Sequence, residues 1–323
     1  MLHSASKYDI LKRIIHPEAF IVELNQFQRQ IAENLPRIAL RFDESLSKHT
    51  SFRIGGPAEV MAFPQNADEL ADILKMSKEL DIRPSILGAG TNVLAPDEGV
   101  AGLVICLKDC MNGMTELGDG RILVMAGVTM SRAAVFAANH GLSGMEFAHG
   151  IPGTIGGGVY MNAGAYGGEI SQICESVTVI NREGQQQTLN RDEMCFRYRH
   201  SVLEETGAIV VSAVFRLTQD TQEAVKARMK ELLTKRSASQ PLDLPSAGSA
   251  FKRPVGGYAA ALIDQAGLKG FRIGGAGIST KHAGFAVNLG GATANDVKQL
   301  LEQVSDRVFE ATGIKLEPEI RIW

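Results

Sequence analysis

Cysteine is scarce in this 323-residue chain: there are four, Cys106, Cys110, Cys174 and Cys195. They form no CxxC pair and no histidine stands at metal-ligand spacing from them, which argues against a zinc site or a disulfide framework and leaves reduced, buried thiols. Long apolar runs are missing as well. No window reaches the ~18 uninterrupted apolar residues of a membrane span. The opening segment, MLHSASKYDILKRIIHPEAF, has no continuous apolar core followed by a small-residue cleavage site, so it reads as mature chain and the expected location is the cytoplasm. Neither charge dominates. The net charge is −3, without a basic run or an aromatic–basic alternation, and nucleic acid is not an expected partner. A Walker A lysine motif and a GxSxG elbow are both absent, which disfavours a P-loop nucleotidase and a serine acyl-transfer enzyme.

What the chain does have is an ordinary soluble composition, 45% hydrophobic and 21% charged, and enough length for two or three cores. Helical spacing of Ile10, Leu11, Ile14 and Ile15, then Ile21, Leu24, Phe27 and Ile31, predicts two short helices over residues 8–34, divided at Pro17. Strands are predicted at AEVMAFP, RPSILGAGTNVLA, LVICL, RILVMAG, SVTVI and AIVVSAVFRL. Helices are predicted at NADELADILKMSKEL, with capping-box spacing at Asn66 and Glu69, and at SRAAVFAANHG. DTQEAVKARMKELLTKR is a further predicted helix, with the same spacing at Asp220 and Glu223, and so is TANDVKQLLEQVSDRVFEATG, which Gly313 can end. IKLEPEIRIW closes the chain as an apparent strand. Strands and helices mix irregularly, so the expected class is α+β, with a boundary near residue 218.

Glycine is where the sequence departs from the ordinary. GIPGTIGGGVYMNAGAYGGEI, residues 150–170, runs nineteen residues without a formal charge before Glu169. Each glycine in a regular element costs about 0.5–1 kcal/mol, so such a run answers another need. Two readings stand: main chain closely approaching a flat or anionic ligand, or a tight backbone crossing inside the protein. ILGAGTNV places Gly88 and Gly90 after a strand, but Val93 stands where a dinucleotide fingerprint needs its third glycine. It is either a nest of N–H groups for a phosphate, helped by Thr91 and Asn92, or a plain strand-end turn. SFRIGGPAE gives a third glycine turn beside Arg53. Three separated turns suit an extended dinucleotide better than a mononucleotide.

Three segments carry reactive side chains. RYRHS (197–201) holds Arg197, Tyr198 and Arg199, and arginines are most often surface residues. SAGSAFKRP (246–254) gathers Ser246, Ser249, Lys252 and Arg253 in a small-residue loop, where serine is commonly a turn former. EPEIR puts Glu317 and Glu319 on one face of a short strand, an arrangement that is ordinarily solvated.

In this order, HTSFRIGGPAE, LGAGTNVL, GMEFAHGIPGTIGGGVYMNAGAYGGEI, RYRHS, SAGSAFKRP, GLKGFRIGGAGISTKHAGFAVN and LEPEIRIW strongly resemble the UDP-N-acetylenolpyruvoylglucosamine reductase (UDP-N-acetylmuramate dehydrogenase) family, from about residue 48 to the end. The resemblance implies an α+β flavoenzyme of bacterial peptidoglycan precursor synthesis. It implies a helical extension over 1–47, a two-part FAD-binding domain of the vanillyl-alcohol-oxidase type over 48–218, and an α/β substrate-binding domain over 219–323. The last strand, about 314–323, returns to the active site. Non-covalent FAD takes hydride from NADPH and passes it to UDP-N-acetylglucosamine enolpyruvate.

Residue by residue, the resemblance implies that Arg199, Ser249 and Glu319 are catalytic. FAD contacts are implied at Arg53, Ile54, Gly55 and Gly56, at Gly88, Ala89, Gly90, Thr91 and Asn92, and at Ile151, Pro152, Gly153, Thr154, Gly156, Gly157 and Gly158. Substrate contacts are implied at Tyr198, Lys252, Arg253, Lys281 and His282. Some members carry Asn where Arg253 stands and Gln where His282 stands. The chain lacks the inserted substrate-clamping loop and resembles the shorter branch. Another flavin oxidase of the same domain type would leave SAGSAFKRP and EPEIR unexplained. A catalytically dead nucleotide-sugar binder would have no use for all three catalytic matches.

Overall fold

The computed structural model describes residues 24–323. The first expected helix, with Ile10 to Ile15, lies outside the described residues; within the second, α1 (Gln26–Asn34) forms with a reciprocal capping box between Asn25 and Gln28. A strand follows at once, β1 (Ala39–Ser45), so residues 1–47 are not a purely helical extension. β1 pairs antiparallel with β2 (Pro57–Phe63). α2 (Ala67–Glu79), β3 (Ser85–Leu87), β4 (Val93–Leu94) and β5 (Val100–Cys106) come next, and the first sheet has the order β1-β2-β5-β3 with its last two pairings parallel. Asn66 caps α2 by accepting from Glu69 N–H, but the Glu69 carboxylate turns to Gln65 N–H, so half of the expected box forms. Leu70 and Ile73 of α2 are fully buried, each contributing roughly 1.5–3 kcal/mol relative to exposure.

The second sheet is antiparallel throughout: β6 (Met114–Gly118), β7 (Arg121–Met125), β8 (Cys174–Ile180), β9 (Gln186–Asn190) and β10 (Ile209–Arg216), in the order β9-β8-β10-β7-β6. Helix α3 (Met130–Asn139) and the short α4 (Ile155–Tyr160) cover it, each capped by a threonine, Thr129 and Thr154. β10 is buried on both faces, and its alternation is broken on purpose. Thr178 pairs with Ser212 but Val179 pairs with Val210, which leaves Val211 as an extra residue. The bulge sends Ile209 and Val211 into the core shared with α2 and the first sheet, while Val210, Ala213 and Phe215 face the core under α3 and α4.

Helix α5 (Gln222–Ser239) starts at Thr221, whose side chain accepts from Ala224 N–H; the expected Asp220–Glu223 box does not form, because Asp220 pairs with Arg228 at 2.6 Å. Its Val225 and Met229 belong to the core of the second sheet. The third sheet, β11 (Ser246–Ser249), α6 (Ala259–Gln265), β12 (Arg272–Ile273), β13 (Ala276–Ile278), β14 (Phe285–Asn288) and α7 (Ala294–Thr312), has strand order β11-β14-β13-β12. Gly313, at φ 75°, ends α7 as expected. The final strand is shorter than expected: only Arg321–Ile322 form a strand, β15, parallel to β4, while Pro318 makes an isolated antiparallel bridge to Phe251. β15 returns the C-terminus from the third sheet to β4, with which it forms a separate two-stranded sheet.

Candidate functional site

Where the three sheets meet, a cavity of about 910 Å³ opens, the size range of a cofactor-plus-substrate site. Two of the glycine segments form one wall, Gly88–Asn92 after β3 and Ile151–Gly158 leading into α4. Thr91 Oγ1 donates to Pro152 O across 3.1 Å and ties the two together. Among the described residues, the main-chain N–H groups of Ala89, Gly90, Thr91, Asn92 and Gly153 donate to no protein acceptor. Such a run of free donors beside a cavity fits an anionic, extended ligand. These residues fit FAD.

The glycines of GGG divide by role. A Cβ on Gly156 would stand 3.2 Å from Ala126 Cβ, and one on Gly158 would stand 2.6 Å from Met130 Sδ, so these two permit helix α4 to cross β7 and α3 closely. A Cβ on Gly157 would meet nothing nearer than Thr154 Oγ1 at 3.6 Å; it is the exposed, cavity-facing member. Close crossing and ligand approach therefore coexist in one turn of helix.

Arg199, Ser249 and Glu319 line this same cavity from three different elements. Arg199 sits in a tight turn closed by reciprocal bonds between Arg197 and His200, at 3.1 and 3.2 Å, and adopts φ 55°. That left-handed position is disfavoured for a side-chain-bearing residue, and it recurs at functional sites. The turn is fixed from below: Asn162 Nδ2 donates to Arg197 O at 3.0 Å and Ser201 Oγ donates to Tyr160 O at 2.8 Å, so α4 and its exit set the height of Arg199. Glu319 is held through its backbone, its N–H donating to Ala250 O at 2.9 Å and its O accepting from Asn92 Nδ2 at 3.3 Å. Arg199 Nε then lies 2.7 Å from Glu319 Oε1, with both side chains largely enclosed. Ser249 stands exposed to the cavity at the end of β11, after Gly248 in the left-handed region at φ 79°.

Several other expected contacts are placed elsewhere. Arg53, Ile54, Gly55 and Gly56 are outside the cavity lining. Phe52 and Ile54 are buried in the core of the third sheet, and Gly55 and Gly56 lie against Leu46, Ala95 and Asp97 O, where a Cβ has no room. This turn is a joint between the first and third sheets. Lys252, Arg253, Lys281 and His282 are also outside the lining. Lys252 pairs with Glu317, Arg253 stacks on Tyr258 at 4.2 Å, and Lys281 Nζ donates to Ser237 O. The His282 ring is half-buried, and burial lowers its pKa. Tyr198 is exposed, and its hydroxyl accepts from Arg253 N–H at 3.2 Å. Glu317 and Glu319 do not share a face: Glu317 is at the surface while Glu319 points into the cavity.

Of the charged lining residues that were not singled out from sequence, Arg321, Glu204 and Arg236 bear on the site. Arg321 forms a two-point pair with Glu204, at 2.7 and 3.0 Å, joining the last strand to the segment after RYRHS. The hydrogen bonds from Arg321 hold the Glu204 carboxyl well down, at about 2. Arg236, on the last turn of α5, is buried. Its signal was legible: Val225, Met229 and Arg236 fall at helical spacing on one face, so a guanidinium stands on an apolar stripe.

Comparison with known proteins agrees with this geometry. The model for the UDP-N-acetylenolpyruvoylglucosamine reductase C-terminal domain matches residues 240–323, and an FAD binding domain model matches 58–190. A UDP-N-acetylenolpyruvoylglucosamine reductase of Agathobacter rectalis is 43% identical over 314 residues, covering 93% of this chain and 99% of the relative. Another, of Streptococcus thermophilus, is 45% identical over 293 residues, 91% of this chain and 96% of the relative. The crystal structure of UDP-N-acetylenolpyruvylglucosamine reductase from Thermus caldophilus superposes with a TM-score of 0.75 at 36% identity, covering 89% of this chain and 99% of that one.

Proposed function

The chain belongs to the UDP-N-acetylenolpyruvoylglucosamine reductase family, an FAD-binding oxidoreductase family, and we propose that it reduces UDP-N-acetylglucosamine enolpyruvate to UDP-N-acetylmuramate with NADPH as hydride donor. The product feeds bacterial peptidoglycan precursor synthesis, in the cytoplasm where NADPH and nucleotide sugars are available. The observation that carries the reading is the convergence of Arg199, Ser249 and Glu319 on one cavity whose lining also offers free main-chain donors. FAD, when bound, supplies two-electron hydride chemistry between the two substrates. Gly88–Asn92 and Ile151–Gly158 would hold it. His149 is outside the lining, with its Nδ1 3.2 Å from Ser131 Oγ, and the cysteines are outside it too, which supports non-covalent attachment.

The substrate's half of the reaction is a problem of charge and protons. Hydride addition at C3 of the enolpyruvyl group leaves negative charge on C2 and the carboxylate. Arg199 provides the fixed cation for that charge, pre-oriented by its pair with Glu319. Ser249 provides the proton for C2. A serine hydroxyl is a weak acid, so it can act only on a strongly basic carbon held within hydrogen-bond reach. Glu319, neutralised by Arg199, aims the guanidinium without repelling the developing charge.

The test is anaerobic. The purified protein is expected to show a visible flavin spectrum that NADPH bleaches and the enolpyruvyl nucleotide sugar restores. A colourless protein that takes up no FAD would end this reading. Restoration by air but not by the nucleotide sugar would make the protein an oxidase.

A further inference from the structure

We propose that Arg236 is a built anion subsite of the cavity, holding a diphosphate oxygen of a bound nucleotide. Burial is the first ground: Arg236 is 8% exposed, and its Nε is wholly enclosed without a hydrogen-bond partner. Among the described residues, no carboxylate lies within ion-pair distance of it, and none of its side-chain nitrogens donates a hydrogen bond. Charged side chains are almost never buried unless paired, because desolvation of an unpaired ion is expensive. The direction of its pKa agrees, since burial lowers it.

Placement is the second ground. Arg236 lines the same cavity as the free N–H groups, and its stem passes Gly150, the residue before Ile151. The route is kept open by Gly150: a Cβ there would stand 2.9 Å from Arg236 Cδ, so any larger residue would displace the arginine stem. Helix α5 gives the stem its direction, because Val225 and Met229 anchor the same face in the core of the second sheet. An unpartnered guanidinium, aimed past a glycine into a cavity with main-chain donors, calls for an anion of fixed position. The planar guanidinium suits phosphoryl oxygens in particular. Three molecules of the proposed reaction carry a diphosphate: FAD, the UDP-sugar and NADPH. The subsite is assigned to FAD or the UDP-sugar, the two present together when the nucleotide sugar is reduced, and this inference rests on that reading of the cavity.

The experiment uses Arg236→Met, which keeps the length and removes the charge, and Arg236→Lys. FAD affinity is read by fluorescence quenching on deflavinated protein, and UDP affinity by calorimetry on holoprotein. Loss of a charge-assisted contact is expected to weaken one of the two by about 10- to 100-fold in Arg236→Met, with a smaller loss in Arg236→Lys. Weakened FAD binding identifies the cofactor diphosphate; weakened UDP binding identifies that of the substrate. Deflavinated Arg236→Met is expected to melt no lower than the parent, because an uncompensated buried charge has been removed. Unchanged affinity for both probes, or equal losses in the Lys and Met variants, would overturn the proposal. A parent protein that itself bound neither probe would instead sink the flavin reading.

Discussion

Arg199 Nε lies 2.7 Å from Glu319 Oε1, and the two residues reach that distance from segments 120 positions apart. The pair is possible because β15 returns the C-terminus to β4, while the RYRHS turn is fixed to α4. Glu319→Gln keeps the shape and removes the charge that orients Arg199. Turnover is expected to fall by about 10²–10³, the usual cost of losing one preorganised electrostatic element. FAD content, read from the visible spectrum, should stay at parent level. A variant that lost flavin and turnover together would show Glu319 to be a folding residue instead.

Ser249→Ala separates the two half-reactions. NADPH should bleach the flavin of the variant at a near-parent rate in stopped flow. Reoxidation by the enolpyruvyl nucleotide sugar should slow by about 10²–10⁴, the span for losing a general acid. Equal slowing of both halves would mean that Ser249 only shapes the cavity.

Glu204 makes stability depend on acid. Its hydrogen bonds from Arg321 lower its pKa from 4.5 to about 2, so its contribution is full above the unfolded value and lost as pH falls from 4.5 towards 2. Both side chains are more than a third exposed, so solvent screening holds the contribution to about 1 kcal/mol or less. Glu204→Gln is therefore expected to have a lower urea midpoint than the parent at pH 7, with the gap narrowing below pH 4.5 and closing only near pH 2. A gap that stayed constant over that range would assign the loss to packing.

Local signals made most of the fold legible. Helix α7 was readable from Val297, Leu300, Leu301, Val304 and Val308 on one face, and its end from Gly313. The bulge at Val211 was not, because AIVVSAVFRL is apolar on both faces and period alone cannot say which side each residue serves. The candidate site was legible through ordered motifs at Arg199, Ser249 and Glu319, which the fold does bring together. Arg53–Gly56 stands outside the cavity lining, and its glycine pair packs on Ala95 and Asp97; a glycine pair beside an arginine looks the same in sequence whether it serves a ligand or a close backbone approach. Arg321 went unnoticed because a lone arginine carries no motif until its partner is seen, whereas Arg236 was readable from its place on the face of Val225 and Met229.

Gly157 and Gly158, adjacent in sequence, should answer alanine in opposite ways. At Gly157 the added methyl enters open, cavity-facing space, and alanine favours a helix over glycine by about 0.5–1 kcal/mol. Deflavinated Gly157→Ala should thus melt at or above the parent, while its FAD affinity falls because the methyl occupies the approach to the cavity wall. At Gly158 the methyl would stand 2.6 Å from the Sδ of Met130, which is fully buried in the core. Overpacking of that kind costs about 1–3 kcal/mol, so deflavinated Gly158→Ala should melt below the parent. Thermal melts of both variants without flavin, with FAD titrations alongside, check the pair. Lowered stability in both would make the whole GGG run a packing device and remove Gly157 from the ligand wall.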